Sequence, residues 1–189
     1  MSKSRIQIVL LCEDKQQLVF ARYFLEKRGF DKRKIIPLIP SVAQSGEQFV
    51  REKYVSEVKK YRQRCNHLAI ALIVMTDADH LSVKQRLDQL NAALQENEVP
   101  ETQKQEAIAV FIPKRNIETW IVYLRDGIVD EEEKKTYNKL PKESDCKPQV
   151  EDLADRCQKQ ELLGTNTLPS LKIACQEFKR LLPLLNPEN

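Results

Sequence analysis

The 189-residue sequence predicts an α/β fold, a doubly wound four-stranded parallel sheet with helices on both faces and a C-terminal helical extension. Three observations lead there. Four short runs, at 6–12, 35–39, 68–75 and 107–112, are apolar nearly throughout, as strands covered on both faces are. Each is followed by apolar residues at three- and four-residue spacing, the mark of an amphipathic helix. Regular strand–helix alternation then favours parallel pairing through crossover helices.

The first run, IQIVLLC at 6–12, leads into a helical stripe of Leu18, Ala21 and Leu25, with Phe20 and Phe24 beside it, that stops at Gly29. The strand at 35–39 contains Pro37 and precedes Pro40, which places it at a sheet edge. A helix over 46–65 follows, with Val50, Tyr54, Val58, Tyr61 and Cys65 on one face. The run LAIALIVM at 68–75 is the strongest strand, and Val83, Leu87, Leu90 and Leu94 make a third amphipathic helix. AIAVFI at 107–112 is stopped by Pro113, and Asn116 is placed to cap a helix carrying Ile117, Trp120, Ile121 and Leu124. Trp120 reads as a core residue. Residues 1–125 are thus expected to form the core. Residues 126–189 should pack on it as an extension, with loops near 129–135 and 139–148 and helices over 150–159 and 171–182, Pro169 just ahead of the second.

Composition narrows the class. Charged residues are 31% and apolar ones 41%, which suits a folded, soluble chain. No run is long enough to span a membrane, and residues 1–5 lead to the first strand without a cleavage-type site, so a cytoplasmic protein with no membrane partner is expected. Five cysteines without a C-x-x-C pair read as small core residues in a reducing compartment, not as a zinc cage or disulfide framework. The net charge of +3 is uneven: residues 1–66 hold 15 Lys/Arg against 7 Asp/Glu. Arg51, Lys53, Lys59, Lys60 and Arg62 are the candidates for contact with a polyanion, DNA or RNA.

The chemistry gathers at strand ends. Ligands of open parallel sheets bind beyond the carboxyl ends of the strands, where strand order reverses. Glu13 and Asp14 follow the first strand, and the third ends in T-D-A-D, carrying Asp77 and Asp79. Converging carboxylates repel one another, and a hard divalent cation such as Mg2+ or Mn2+ offsets that while leaving room for phosphate oxygens. Glu118, in the first turn of the helix after the fourth strand, is a fourth candidate ligand, although a helix dipole would favour an acid there in any case. Lys114 and Arg115 leave the fourth strand at the same end and could stabilise a phosphoryl oxyanion. His80 reads as a surface residue at a helix start. With only four glycines there is no P-loop and no G-x-G-x-x-G, and no serine or cysteine sits in a nucleophile elbow.

Glu13 after the first strand, D-A-D at 77–79 after the third and the alternating frame resemble the Toprim domain of topoisomerases, primases and OLD-type nucleases. With IPKRNIETW at 112–120, the chain looks most similar to the small stand-alone bacterial Toprim-related proteins. The resemblance covers about residues 5–125. It implies a Mg2+- or Mn2+-dependent nuclease that hydrolyses phosphodiesters of DNA or RNA, in a defence or repair system with an ATPase as partner. Glu13 would be the metal-linked general acid or base. Asp77 and Asp79 would hold the metal, and Glu118 would match the further acid of the OLD-type enzymes. The chain departs from the pattern where Asp14 stands for the usual glycine and Gln16 and Gln17 for a further acid, which leaves one metal or two open.

Two alternatives stand beside this expectation. One is a receiver-like phosphoacceptor, which shares the strand order but needs a fifth strand with a lysine after it, whereas Lys114 follows the fourth. The other is a non-catalytic Toprim-shaped module that docks nucleic acid or an ATPase.

Overall fold

The computed structural model describes residues 6–133, 137–159 and 167–185, so part of the predicted 129–135 loop lies outside the described residues. Four parallel strands, β1 (Gln7–Cys12), β2 (Ile35–Leu38), β3 (Ile70–Met75) and β4 (Ile108–Phe111), pair in the order β2-β1-β3-β4. The helices between them are α1 (Lys15–Lys27), α2 (Gly46–Arg64) and α3 (Val83–Glu96), and α4 (Ile117–Asp126) follows β4. Beyond them come α5 (Lys147–Lys159), α6 (Pro169–Phe178) and the single turn α7 (Leu182–Leu185). The α/β class, the four-stranded parallel sheet and its helical cover are as the sequence predicts.

Topology follows from handedness. β1 connects leftward to β2, whereas β2–β3 and β3–β4 run rightward, so right-handed crossovers put α1 on one face and α2 with α3 on the other. Packing agrees, since α2 lies on β1, β3 and α3, while α5 lies on α1 and α6 on β4. All six residues of β3 are buried, which is why its sequence shows no polar alternation. At the β2 edge Ile36 and Pro37 are exposed, and a proline is tolerated there because the outer side needs no ladder donor.

Local signals set the helix limits. Asp14 caps α1 by accepting from Gln17 N at 2.9 Å. Ser82 and Gln85 form a reciprocal capping box on α3. Asn116 caps α4, which ends at Gly127 in the left-handed conformation (φ 77°). Pro169 is the first residue of α6, two residues earlier than hydrophobic spacing alone suggests.

The described residues after 126 complete one face of the sheet. Phe24 of α1 meets Phe111 of β4 and Phe178 of α6 edge-on, at 6.3 and 5.0 Å between ring centroids. Trp120 is buried against Phe20, and its indole N–H donates to Ser170 Oγ at 2.8 Å. Ser170 Oγ in turn donates to the buried carboxylate of Glu131. Leu153, Ala154, Leu171, Phe178 and Leu181 belong to the same continuous core as the strands.

The cysteine expectation needs one correction. Cys12 and Cys146 are buried thiols and Cys65 is half-buried, but Cys157 and Cys175 are disulfide-bonded. Their spacing carries no pairing signal. Packing of α5 beside α6 brings the two Cα atoms to 5.6 Å, within bridging range. Among the described residues, no helix is long and apolar enough to cross a membrane.

Candidate functional site

Strand register builds the site. Cys12 pairs with Met75, so the next residues, Glu13 and Thr76, emerge side by side at the carboxyl edge of the two central strands. Thr76 Oγ1 donates to Glu13 Oε1, and Asp77 N donates to the same oxygen at 3.0 Å. Gln17, wholly buried in the first turn of α1, closes the loop. Its Oε1 accepts from Glu13 N at 3.0 Å, and its Nε2 donates to Asp77 Oδ1 at 2.9 Å. Glu13 and Asp77 are therefore locked together through neutral partners, and each keeps one oxygen outside these bonds.

Gly46 is why α2 can start beside them. A Cβ at this position would lie 2.6 Å from the carbonyl oxygen of Glu13 and 2.7 Å from its Cβ. Only a residue without a side chain lets the helix end approach this closely.

The electrostatics follow from burial. Loss of solvent pushes the Glu13 carboxyl up to about 7. Bonds from Thr76 and Asp77 N and the nearby Arg86 charge pull it back, while Asp79 adds to the rise. Asp77 is raised well above the carboxylate range, first by burial and then by Glu13, Asp14, Asp79 and Glu118. Glu118 is 5% exposed, and its carboxyl is also raised, by burial and then by Asp14, with Lys139 opposing. Its Oε1 is buried with no hydrogen-bond partner. A buried, unpaired carboxylate oxygen within electrostatic reach of the buried Asp77 is costly unless something cationic or protic meets it.

Asp79 behaves differently from Asp77. Its backbone is left-handed (φ 53°), a conformation aspartate tolerates better than most residues. Arg115 fixes it there: Asp79 N donates to Arg115 O, and Arg115 Nη1 donates to Asp79 O, both at 3.0 Å. The Asp79 side chain is 54% exposed and pairs with Arg86 at 3.2 Å, so the two aspartates of D-A-D face different surroundings. Arg86 is itself buried. It also donates to Asp77 O at 2.8 Å and pairs with Glu47 of α2 at 3.0 Å.

The predicted cations are engaged elsewhere. Lys114 pairs with Glu132 at 3.1 Å, and Arg115 spends its remaining donors on the carbonyls of Glu132 and Glu133. On α2, Arg51 lies on the rim of a crevice with Asp79, His80 and Arg86 and pairs with Glu47. Lys53 and Lys59 are exposed, and Lys60 is exposed but pairs with Glu57 at 2.6 Å. Arg62 clamps Glu106 at 2.7 and 3.0 Å and the carbonyls of Pro100 and Glu101. From Gly46 to Lys59 the helix rises about 20 Å, so Lys59, Lys60 and Arg62 sit toward the opposite end of the sheet from the acids.

A divalent cation suits this donor set. The uncommitted oxygens of Glu13 and Asp77 and the orphaned oxygen of Glu118 are the hard donors that Mg2+ takes. Among the described residues, no group of three or more His, Cys, Asp or Glu is arranged to hold a metal ion by itself. Mg2+ does not need such a cage, because it keeps most of its waters and takes one or two carboxylates with substrate phosphates. Gln17, Thr76, Gly46 and Arg86 are the site residues that sequence reasoning missed. Only Gln17 left a trace there, as a neutral residue where an acid was expected. Comparison of this chain with family models, curated proteins and solved structures returns no match.

Proposed function

We propose that the protein is a Toprim-like, Mg2+- or Mn2+-dependent phosphodiesterase acting on DNA or RNA. One observation carries the proposal: Glu13 and Asp77 are held side by side at the point where strand order reverses, and Glu118, whose buried oxygen is unpaired, is close enough to help raise the Asp77 carboxyl. Asp77 and Glu118 would hold the cation, which when bound neutralises the carboxylates and polarises a phosphoryl oxygen. Glu13 has the proton affinity of a base working near neutral pH, and its free oxygen would take a proton from the attacking water. Gln17 and the Thr76–Asp77 turn hold Glu13 in register for that transfer. Arg115 ties the carbonyls of Glu132 and Glu133 to Asp79, Lys114 pairs with Glu132, and the two act on the reaction only through that support.

The test is nicking of plasmid and degradation of single-stranded DNA and RNA with Mg2+ and then Mn2+. Glu13→Gln and Asp77→Ala should each lower the rate on the order of a hundredfold or more. Activity that survives both substitutions would sink the proposal. The commitment of Lys114 and Arg115 to internal partners favours a second reading, a non-catalytic module that docks nucleic acid or an ATPase. Metal binding without cleavage, even with an ATPase partner present, would favour it.

A further inference from the structure

In front of Glu13 lies a crevice of about 540 Å3 whose walls the chemistry above does not use. Glu13 and Asp14 form its floor. One wall is the loop between β2 and α2, with Ile39, Pro40 and Val42, and the other is Leu140 from the segment before α5. Lys15 and Lys139 stand at the rim. Val42 is fully exposed and Ile39 is 39% exposed, so apolar side chains at the mouth have nothing covering them. Among the described residues the lysines, both exposed, pair with Glu143 at 3.3 Å (Lys15) and with the half-buried Asp14 at 3.7 Å (Lys139). Such pairs contribute little and can exchange for an incoming anion.

The combination has a chemical meaning. Apolar walls a few residues from exposed ammonium groups suit a ligand with a flat apolar part and an anionic part. The volume is that of a small-molecule pocket, enough for one nucleotide. A base stacked inside a duplex cannot enter, whereas an unstacked one can lodge between aliphatic side chains. We infer that this crevice takes one unstacked nucleotide of a single-stranded nucleic acid, its base between Leu140 and the 39–42 loop and its phosphate by Lys15 and Lys139. The inference rests on the phosphodiesterase reading, since the acidic floor would otherwise repel the strand.

Fluorescence anisotropy on the full chain tests it, with Ca2+ replacing Mg2+ to suppress turnover. The probes are a labelled ten-nucleotide DNA strand, the matching RNA, an abasic strand and a blunt duplex. Either base-bearing single strand should bind about tenfold or more tighter than the abasic strand and the duplex. Val42→Ser, at a fully exposed position, should erase most of that preference, and Leu140→Ser should act the same way. Equal binding of abasic and base-bearing strands, or a preference untouched in Val42→Ser, would overturn the inference. If Asp77-dependent cleavage persists in that case, the phosphodiesterase reading stands alone. If the preference is present but no metal-dependent cleavage occurs, it is the catalytic reading that fails.

Discussion

Glu13 shows how much one residue's surroundings decide. Its carboxyl is raised to about 7 from an ordinary value near 4.5, so between those limits the folded protein holds a proton that the unfolded chain has released. Stability from this group is therefore full below about 4.5 and is lost as pH rises through 7. The loss amounts to up to about 3 kcal/mol, and Asp77 acts in the same direction. Urea unfolding of metal-free protein should show lower stability at pH 8 than at pH 5, with the difference shrinking in Glu13→Gln. Millimolar Mg2+ should restore stability at pH 8. A metal-free protein equally stable at both values would mean the acids are better solvated than their burial indicates. By the same repulsion, Asp77→Asn should raise the melting temperature of metal-free protein at pH 8, since it removes a charge while keeping an acceptor for Gln17. A fall would mark Asp77 as a structural residue. Arg86 is the counterweight: Arg86→Met would take the buried donor from the Asp77 carbonyl and leave Glu47 to Arg51 alone, at a cost of about 1–3 kcal/mol in thermal or urea unfolding.

At the scale of elements, the site is a meeting of helix starts with strand ends. α1, capped by Asp14, delivers Gln17, α2 begins at Gly46 against Glu13, and α4, capped by Asn116, delivers Glu118. Gly46→Ala should push α2 away from β1, because its methyl would lie 2.6 Å from a backbone oxygen that has little room to retreat. A stability loss of about 1–3 kcal/mol is expected. Cleavage should fall at least tenfold, while the far end of α2, held by Arg62 and Glu106, stays in place. A variant with wild-type stability and rate would show that the helix can shift without cost. This contact was invisible in the sequence, where Gly46 marks only a helix start. The caps at Asn116 and the strand-end positions of Glu13 and Asp77 were legible, because each depends on neighbours within a few residues.

For the whole molecule, described residues after 126 such as Leu153, Leu171 and Phe178 are part of the core. Phe178 packs against Phe24 and Phe30, and the Trp120–Ser170–Glu131 chain of hydrogen bonds is buried beneath it. The Cys157–Cys175 bond ties α5 to α6 across 18 residues, and closing a loop of that length contributes about 3 kcal/mol by restricting the unfolded chain. Unfolding with and without a reductant should differ by that order, and Cys157→Ser should behave as the reduced protein does. If reductant changes nothing, the two thiols merely pack together.

Four apolar runs alternating with amphipathic stretches were sufficient to determine the class, the order of elements and the edge position of β2, because burial and periodicity are written in neighbouring residues. The tertiary structure alone decided which strand-end acids share one environment. Backbone handedness at Asp79, set by Arg115 some 36 residues away, turns that carboxylate out to Arg86. Asp77, two positions earlier, is drawn inward by Gln17, 60 residues distant in sequence. The direction of a side chain beyond the end of a strand depends on such long-range partners, and no periodicity in the chain encodes them.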